Sequence, residues 1–285
     1  MHIYNVFSGL IVREKIMGVI YFFDRHFKRY LLKGTKALNP SDTGIFPNGI
    51  SCVREADVNM WFYTKDGNTI AFDSGHMNFP NVNLEFEKIN INPDNIKHVF
   101  LTHVDVDHAG GIDKNGKNIF PNAQVYIGEN DEQYLTGQLY RIKKLGFLKL
   151  NIGVSLSPGY KLIQDGQVFD IEGIKIIAIH IPGHTIGHMC YIVDGKILIS
   201  GDCLAINKKG GYPFFDFFTQ FPEMNKKSLI KLKEKVKRYN IEAVCTGHSG
   251  YRKFDDNTFA HIGETADFGR KNHFDEDAPD DCMKY

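Results

Sequence analysis

The sequence predicts an α/β protein, on three observations. Short strand-like apolar runs alternate with amphipathic, helix-like stretches along the chain. Several of those strand-like runs end in a histidine or aspartate beside a glycine, the pattern of a sheet whose strand ends carry a site. No internal repeat, low-complexity tract or linker interrupts the chain, so residues 1–285 read as a single domain.

Taken in order, residues 59–63 and 69–72 read as paired strands around the turn Lys65-Asp66-Gly67-Asn68. Residues 96–101 and 123–127 read as two further strands. GENDEQYLTGQLYRIKKLGF, 128–147, has the charged and apolar spacing of a helix running out of the second. Three short strands follow at 175–180, 189–193 and 196–200, punctuated by Gly183, Asp194 and Gly195. NKKSLIKLKEKVKRY, 225–239, is an amphipathic helix with Leu229, Leu232 and Val236 on one face and a lysine-rich solvated face opposite. Residues 241–245 return as a strand. An N-terminal extension, 1–49, contains MGVIYFFDRHFKRYLLKG and reads as packing on the core or on a second subunit in a homodimer; resting on a membrane surface is the weaker alternative. The C-terminal tail is 251–285, and its acidic end FDEDAPDDCMKY reads as solvated or loosely docked.

Charge excludes some partners. Lys plus Arg and Asp plus Glu number 34 each, so no global field favours nucleic acid or an anionic membrane. The apolar stretches, such as IMGVIYFF at 16–23, are too short to span a bilayer, and the N-terminus lacks the order of a secretory leader. Cys52, Cys190, Cys203, Cys245 and Cys282 are scattered and odd in number, which argues for reduced thiols, mostly small core residues, and a cytoplasmic location.

The chemistry concentrates in LTHVDVDHAGG, 101–111. His103, Asp105 and Asp107 alternate, so an extended backbone projects them to one side, and His108 joins them where the chain turns. Carboxylates packed this closely repel one another unless a cation holds them ionised, so a divalent metal site outweighs a merely solvated loop. Three later strands deliver more ligand-type residues just past their ends: His184 in IPGHTIGH, with His188 four residues on, Asp202 in SGD, and His248 in TGHSG.

In combination, THVDVDHAGG, PGHTIGH, SGD and TGH resemble the metallo-β-lactamase-fold hydrolases, in order and spacing, over roughly residues 50–250. The resemblance implies an αββα sandwich, a four-layer fold with a dinuclear metal centre at one edge of its sheets. Carried over position by position, it implies one metal on His103, Asp105 and His184, a second on Asp107, His108 and His248, and Asp202 bridging them. Asp73 in IAFDSG matches an early aspartate that supports the site from behind; a turn-capping role is nearly as good a reading.

One departure stands out, since the usual His-x-His-x-Asp-His here has Asp105 as its second member. A carboxylate in place of an imidazole hardens the ligand set, so zinc, the family's usual metal, competes with iron or manganese. Alternatively the first subsite is weakly occupied and a single metal does the work.

The implied function is a metal-dependent hydrolase in which a metal-bound hydroxide cleaves an ester-like bond, a lactone, thioester or phosphoester, of a small molecule. Asp107 is the candidate for passing the proton to the leaving group. The crowded Phe214, Phe215, Phe217, Phe218 and Phe221 either line the substrate pocket or seal the core or a dimer contact. The spacing is similar to that of the quorum-quenching lactonases and glyoxalase-type thioesterases, although Cys203, Leu204, Ala205 and Ile206 stand where a lactonase carries a tyrosine. The alternative is a diiron redox enzyme, resembling the core of flavodiiron oxygen or nitric oxide reductases, fed by a separate electron donor. A non-catalytic metal-binding module ranks last.

Overall fold

The computed structural model describes residues 39–145 and 148–264, of which 143–145 and 148–150 through their backbone only, together with Phe22, His26 and Phe27. The rest of the predicted extension before residue 39, and the acidic tail after 264, lie outside the described residues.

Strands β1 (Gly44–Ile45), β2 (Ile50–Glu55), β3 (Val58–Lys65), β4 (Asn68–Phe72), β5 (His98–Phe100), β6 (Gln124–Gly128) and β9 (Lys161–Ile163) form one sheet in the order β1-β2-β3-β4-β5-β6-β9. Its first four strands are an antiparallel meander, and β4, β5, β6 and β9 run parallel. Strands β10 (Val168–Ile171), β11 (Ile174–His180), β12 (Met189–Val193), β13 (Ile197–Gly201), β16 (Ala243–Thr246) and β17 (Gly250–Lys253) form the second. There only β13 and β16 are parallel.

Alternation along each strand builds the layers. Trp61, Phe72, Phe100 and Tyr126 of the first sheet meet Ile176, Tyr191, Ile199 and Cys245 of the second in a core between the sheets. Phe100 stacks on Tyr126 at 4.4 Å between ring centroids. The neighbouring residues point outward: Phe62, Ala71, Val99 and Ile127 pack with Val82 and Phe86 of helix α1 (Val82–Lys88). On the other side Ile192, Leu198 and Val244 pack with Leu229, Leu232 and Val236 of α3 (Pro222–Val236). Helix, sheet, sheet and helix therefore stack as the expected αββα sandwich, and strands buried on both faces explain why their sequences read as continuous apolar runs.

One expectation is corrected. The helix expected over 128–147 is confined to a 3-10 turn at Glu129–Asp131 and the single turn α2 (Glu132–Leu135). Gly137, at φ +74°, ends it, and the chain continues into a hairpin of β7 (Ile142–Leu145) and β8 (Leu148–Asn151). Tertiary contacts of Asp131 and Arg141, described below, override the helical spacing there. At the start of the C-terminal tail, β17 pairs antiparallel with β16, Cys245 opposite Tyr251. Among the described residues no helix is long and apolar enough to cross a membrane.

Candidate metal centre

The seven sequence-predicted residues converge at the strand ends. His103, Asp105, Asp107 and His108 lie in the loop leaving β5, His184 in the loop after β11, Asp202 directly after β13 and His248 directly after β16. Within each of three groups, one ligand atom per residue lies within 4.8 Å of the others: His103, Asp105 and His184; Asp107, His108 and His248; His103, His108 and Asp202. All seven are buried.

Supporting hydrogen bonds decide which nitrogen of each imidazole faces inward. His108 donates Nδ1–H to Asp73 Oδ2 (2.8 Å), and His248 donates Nδ1–H to the Asp57 carbonyl (2.6 Å), since neither acceptor can donate. Thr102 Oγ1 donates to the Asp73 carboxylate, so it accepts from His103 Nδ1 (2.9 Å). Asp73, at φ +63°, also accepts from the Thr102 amide (2.7 Å), so it holds two ligand-bearing positions from behind.

Each inward Nε2 then carries a lone pair. Those of His108 and His248 face each other at 3.5 Å and lie 3.3 and 3.1 Å from the Asp202 oxygens. Lone pairs and carboxylate oxygens this close are stabilised by positive charge among them, from a metal ion or from a proton on a ring. Without a metal ion, burial opposes protonation of His108, but the carboxylates of Asp202, Asp73 and Asp107 hold its pKa well above the ordinary value. Burial likewise opposes ionisation of Asp202, yet His108 and His248 keep its carboxyl well below the usual range. His103 Nε2 is buried without a hydrogen-bond partner, and burial, then His108 and His184, hold its pKa far down. A ring kept neutral with its lone pair inward could hold a metal ion.

The donors around His108 and His248 fit a divalent ion; those around Asp105 do not fit as simply. Arg141, fully buried, donates from Nε and Nη2 to the two oxygens of Asp105 at 2.7 and 2.8 Å. The same Nη2 donates to the Phe218 carbonyl at 2.6 Å, and His184 Nε2 lies 3.1 Å from it and 3.2 Å from Asp105 Oδ2. The sequence reading missed Arg141; the available signal was Asp105 itself, a carboxylate replacing a neutral imidazole and so requiring a countercharge.

It also missed Asp131, which accepts from the amides of Val104 (3.1 Å) and Gly187 (2.7 Å) and from the Thr185 hydroxyl (3.0 Å), stapling the first ligand loop to the His184 loop. His188, whose Nε2 accepts from the Asp202 amide at 3.1 Å, supports that ligand from beneath. Phe214 stands against the centre, stacked on His248 and edge-on to His184, both at 5.3 Å between centroids. Of the aromatic run, Phe214 is therefore a wall of the site, while Phe215 and Phe221 are buried in the core.

The model of the metallo-beta-lactamase superfamily matches residues 53–248, more than half of the chain and all seven residues. The chain belongs to the metallo-beta-lactamase superfamily. Within it, the chain is 34% identical over 108 residues to an atrochrysone carboxyl ACP thioesterase of Emericella nidulans, a match covering 38% of this chain and 27% of that protein. A lactamase-like protein of Aspergillus fumigatus is 32% identical over 108 residues, covering 38% and 25%. The chain thus spans about a quarter of the curated relatives it matches. Among solved structures, a B3 metallo-beta-lactamase with an active-site glutamic acid superposes with a TM-score of 0.57 at 17% identity, covering 81% of this chain and 90% of that one. A superfamily protein of Thermus thermophilus gives 0.56 at 15% identity, covering 77% and 78%. At these identities the superpositions show the sandwich fold.

Gly247, between β16 and His248, offers a local test in this superfamily member. A methyl there would meet Asp202 Oδ1 and, at 2.6 Å, His108 Cε1, neither of which is free to swing away. Gly247→Ala should weaken divalent-metal affinity by about 10–100-fold, the scale of losing a group that orients a ligand. Chelator competition measures this, and unchanged affinity would show that the ligands tolerate displacement.

Proposed function

We propose that the chain is a metal-dependent hydrolase acting on an ester-like bond of a small molecule, with a thioester as the first candidate and lactones and phosphoesters next. The observation that carries the reading is the inward convergence of the His108, His248 and Asp202 ligand atoms within 3.5 Å of one another, each ring fixed by a hydrogen bond behind it. A bound divalent ion supplies two things there, an activated water near neutral pH and stabilisation of the developing oxyanion. His108 and His248, with Asp107 and Asp202, would hold it.

The protein's own groups do the remainder. Asp107 Oδ2, 3.5 Å from His248 Nε2, is the more solvent-accessible carboxylate of the centre and is placed to take the proton of the attacking water and pass it to the leaving group. Phe214 gives an acyl group an apolar surface beside the two histidines and limits water there. The thioesterase relative supports thioesters first. The diiron redox alternative needs Asp105 as an open ligand, and the pairing of both its oxygens with Arg141 favours hydrolysis.

The test is a panel of acyl thioesters, lactones and phosphoesters, assayed after chelation and again after adding back zinc, manganese or iron. Hydrolysis of one class should vanish on chelation and return with metal. Turnover that survives complete metal removal would overturn the reading, as would an inert, metal-loaded protein across all three classes.

A further inference from the structure

We infer that Arg141 is a built-in cation standing in the first metal subsite, so that this chain carries a one-metal centre on Asp107, His108, Asp202 and His248. The inference rests on the metal-centre reading above and sharpens it.

Three donors would make up the first subsite: His103, Asp105 and His184. Arg141 engages Asp105 through hydrogen bonds to both of its oxygens that a metal would have to break, and His184 Nε2 is taken up between Arg141 Nη2 at 3.1 Å and Asp105 Oδ2 at 3.2 Å. A guanidinium is permanently charged and matches a carboxylate as a fork, so it neutralises Asp105 as the first metal otherwise would. A divalent ion entering that space would meet this positive charge and find His103 as its one uncommitted ligand among the three.

The backbone holds Arg141 in place. Segment 152–154 is zipped onto the ligand loop, with the Val106 amide donating to the Ile152 carbonyl and the Val154 amide to the Val104 carbonyl, both at 2.9 Å. The Ile152 amide in turn donates to the Arg141 carbonyl (2.8 Å). Gly153 permits the approach, since a Cβ there would lie 3.3 Å from Arg141 Cβ. The Phe218 carbonyl closes the other side. At the second subsite His108 and His248 are held through Nδ1, which turns their Nε2 atoms toward Asp202.

The experiment is titration of the metal-free protein with Co2+, read by its visible ligand-field bands and by metal content after gel filtration. The native chain should take up one equivalent tightly, with a second weaker by about two orders of magnitude or more, the scale of separating a buried ion from its partner. Arg141→Met should admit a second tight equivalent. Because that variant leaves a buried carboxylate without its partner and is at risk of unfolding before metal is added, Asp105→His/Arg141→Met, which buries no charge, provides the second arm and should also bind two. Two equivalents of similar affinity in the native chain would overturn the inference. So would a single equivalent in a folded double variant. No binding to the native chain at all would instead strike the metal-centre reading itself.

Discussion

Asp202→Ala should yield a folded chain that retains no tightly bound divalent metal and has lost hydrolytic activity by about 1,000-fold or more, beyond the 10–100-fold that attends loss of a group behind a ligand. The Asp202 oxygens approach both inward imidazoles of the second subsite, 3.3 Å from His108 Nε2 and 3.1 Å from His248 Nε2. Removing it takes away the negative charge that lets two imidazole nitrogens share a cation 3.5 Å apart. The fold survives because Asp202 sits at a strand exit and its amide still donates to His188. Metal content and kcat/KM on the best substrate measure the effect; a variant that keeps native metal affinity would remove Asp202 from the centre.

Asp131→Ala should be the most damaging change among residues that touch no metal. Its carboxylate accepts three hydrogen bonds from two loops, and the alanine variant leaves the Val104 and Gly187 amides and the Thr185 hydroxyl buried without that acceptor. Three such losses amount to about 3–5 kcal/mol of stability. Metal affinity should fall as well, because the loop that carries Asp107 and His108 loses its anchor at Val104. Asp131→Asn should not rescue fully, since its amide group would turn donors toward a donor. The effect also depends on pH. In the metal-free chain burial pushes the Asp131 carboxyl up to about 7, above the ordinary 3.8. The folded chain therefore keeps a proton that the unfolded chain releases, and the stability this contributes is complete below about pH 4 and lost as pH rises through about 7. The gap in unfolding free energy between native and Asp131→Ala proteins should narrow across that window, and a widening gap would show that Asp131 is buried as a well-compensated anion.

How much of this was legible in the sequence follows from the range of the forces involved. The αββα layering was readable because strands carry their own alternation: Trp61 against Phe62, Phe100 against Val99 and Cys245 against Val244 face opposite cores. The seven converging residues were readable because each follows its strand within a few positions, and a local pattern needs no knowledge of the partner sheet. Arg141 and Asp131 were not, because their meaning lies in partners distant in sequence. Arg141 meets Asp105 across 36 positions, and Asp131 meets Gly187 across 56. Both also lie in the stretch whose spacing reads as one long helix. There, burial of a charged fork against Asp105 and of a carboxylate against three donors outweighs the small preference of exposed residues for a helix. The Phe-rich loop was half legible: composition marked it as an apolar cover, and only the fold shows that Phe214 covers the histidines.

The most direct measurement is anomalous diffraction at the metal edge from crystals of the protein grown with Zn2+ or Mn2+. The expected result is a strong anomalous peak bounded by His108 Nε2, His248 Nε2 and the carboxylates of Asp107 and Asp202, with Arg141 still on Asp105. Absence of any peak among these residues in a metal-loaded crystal would contradict it, as would a peak confined to the buried His188, Cys190 and Cys203 group beneath the site.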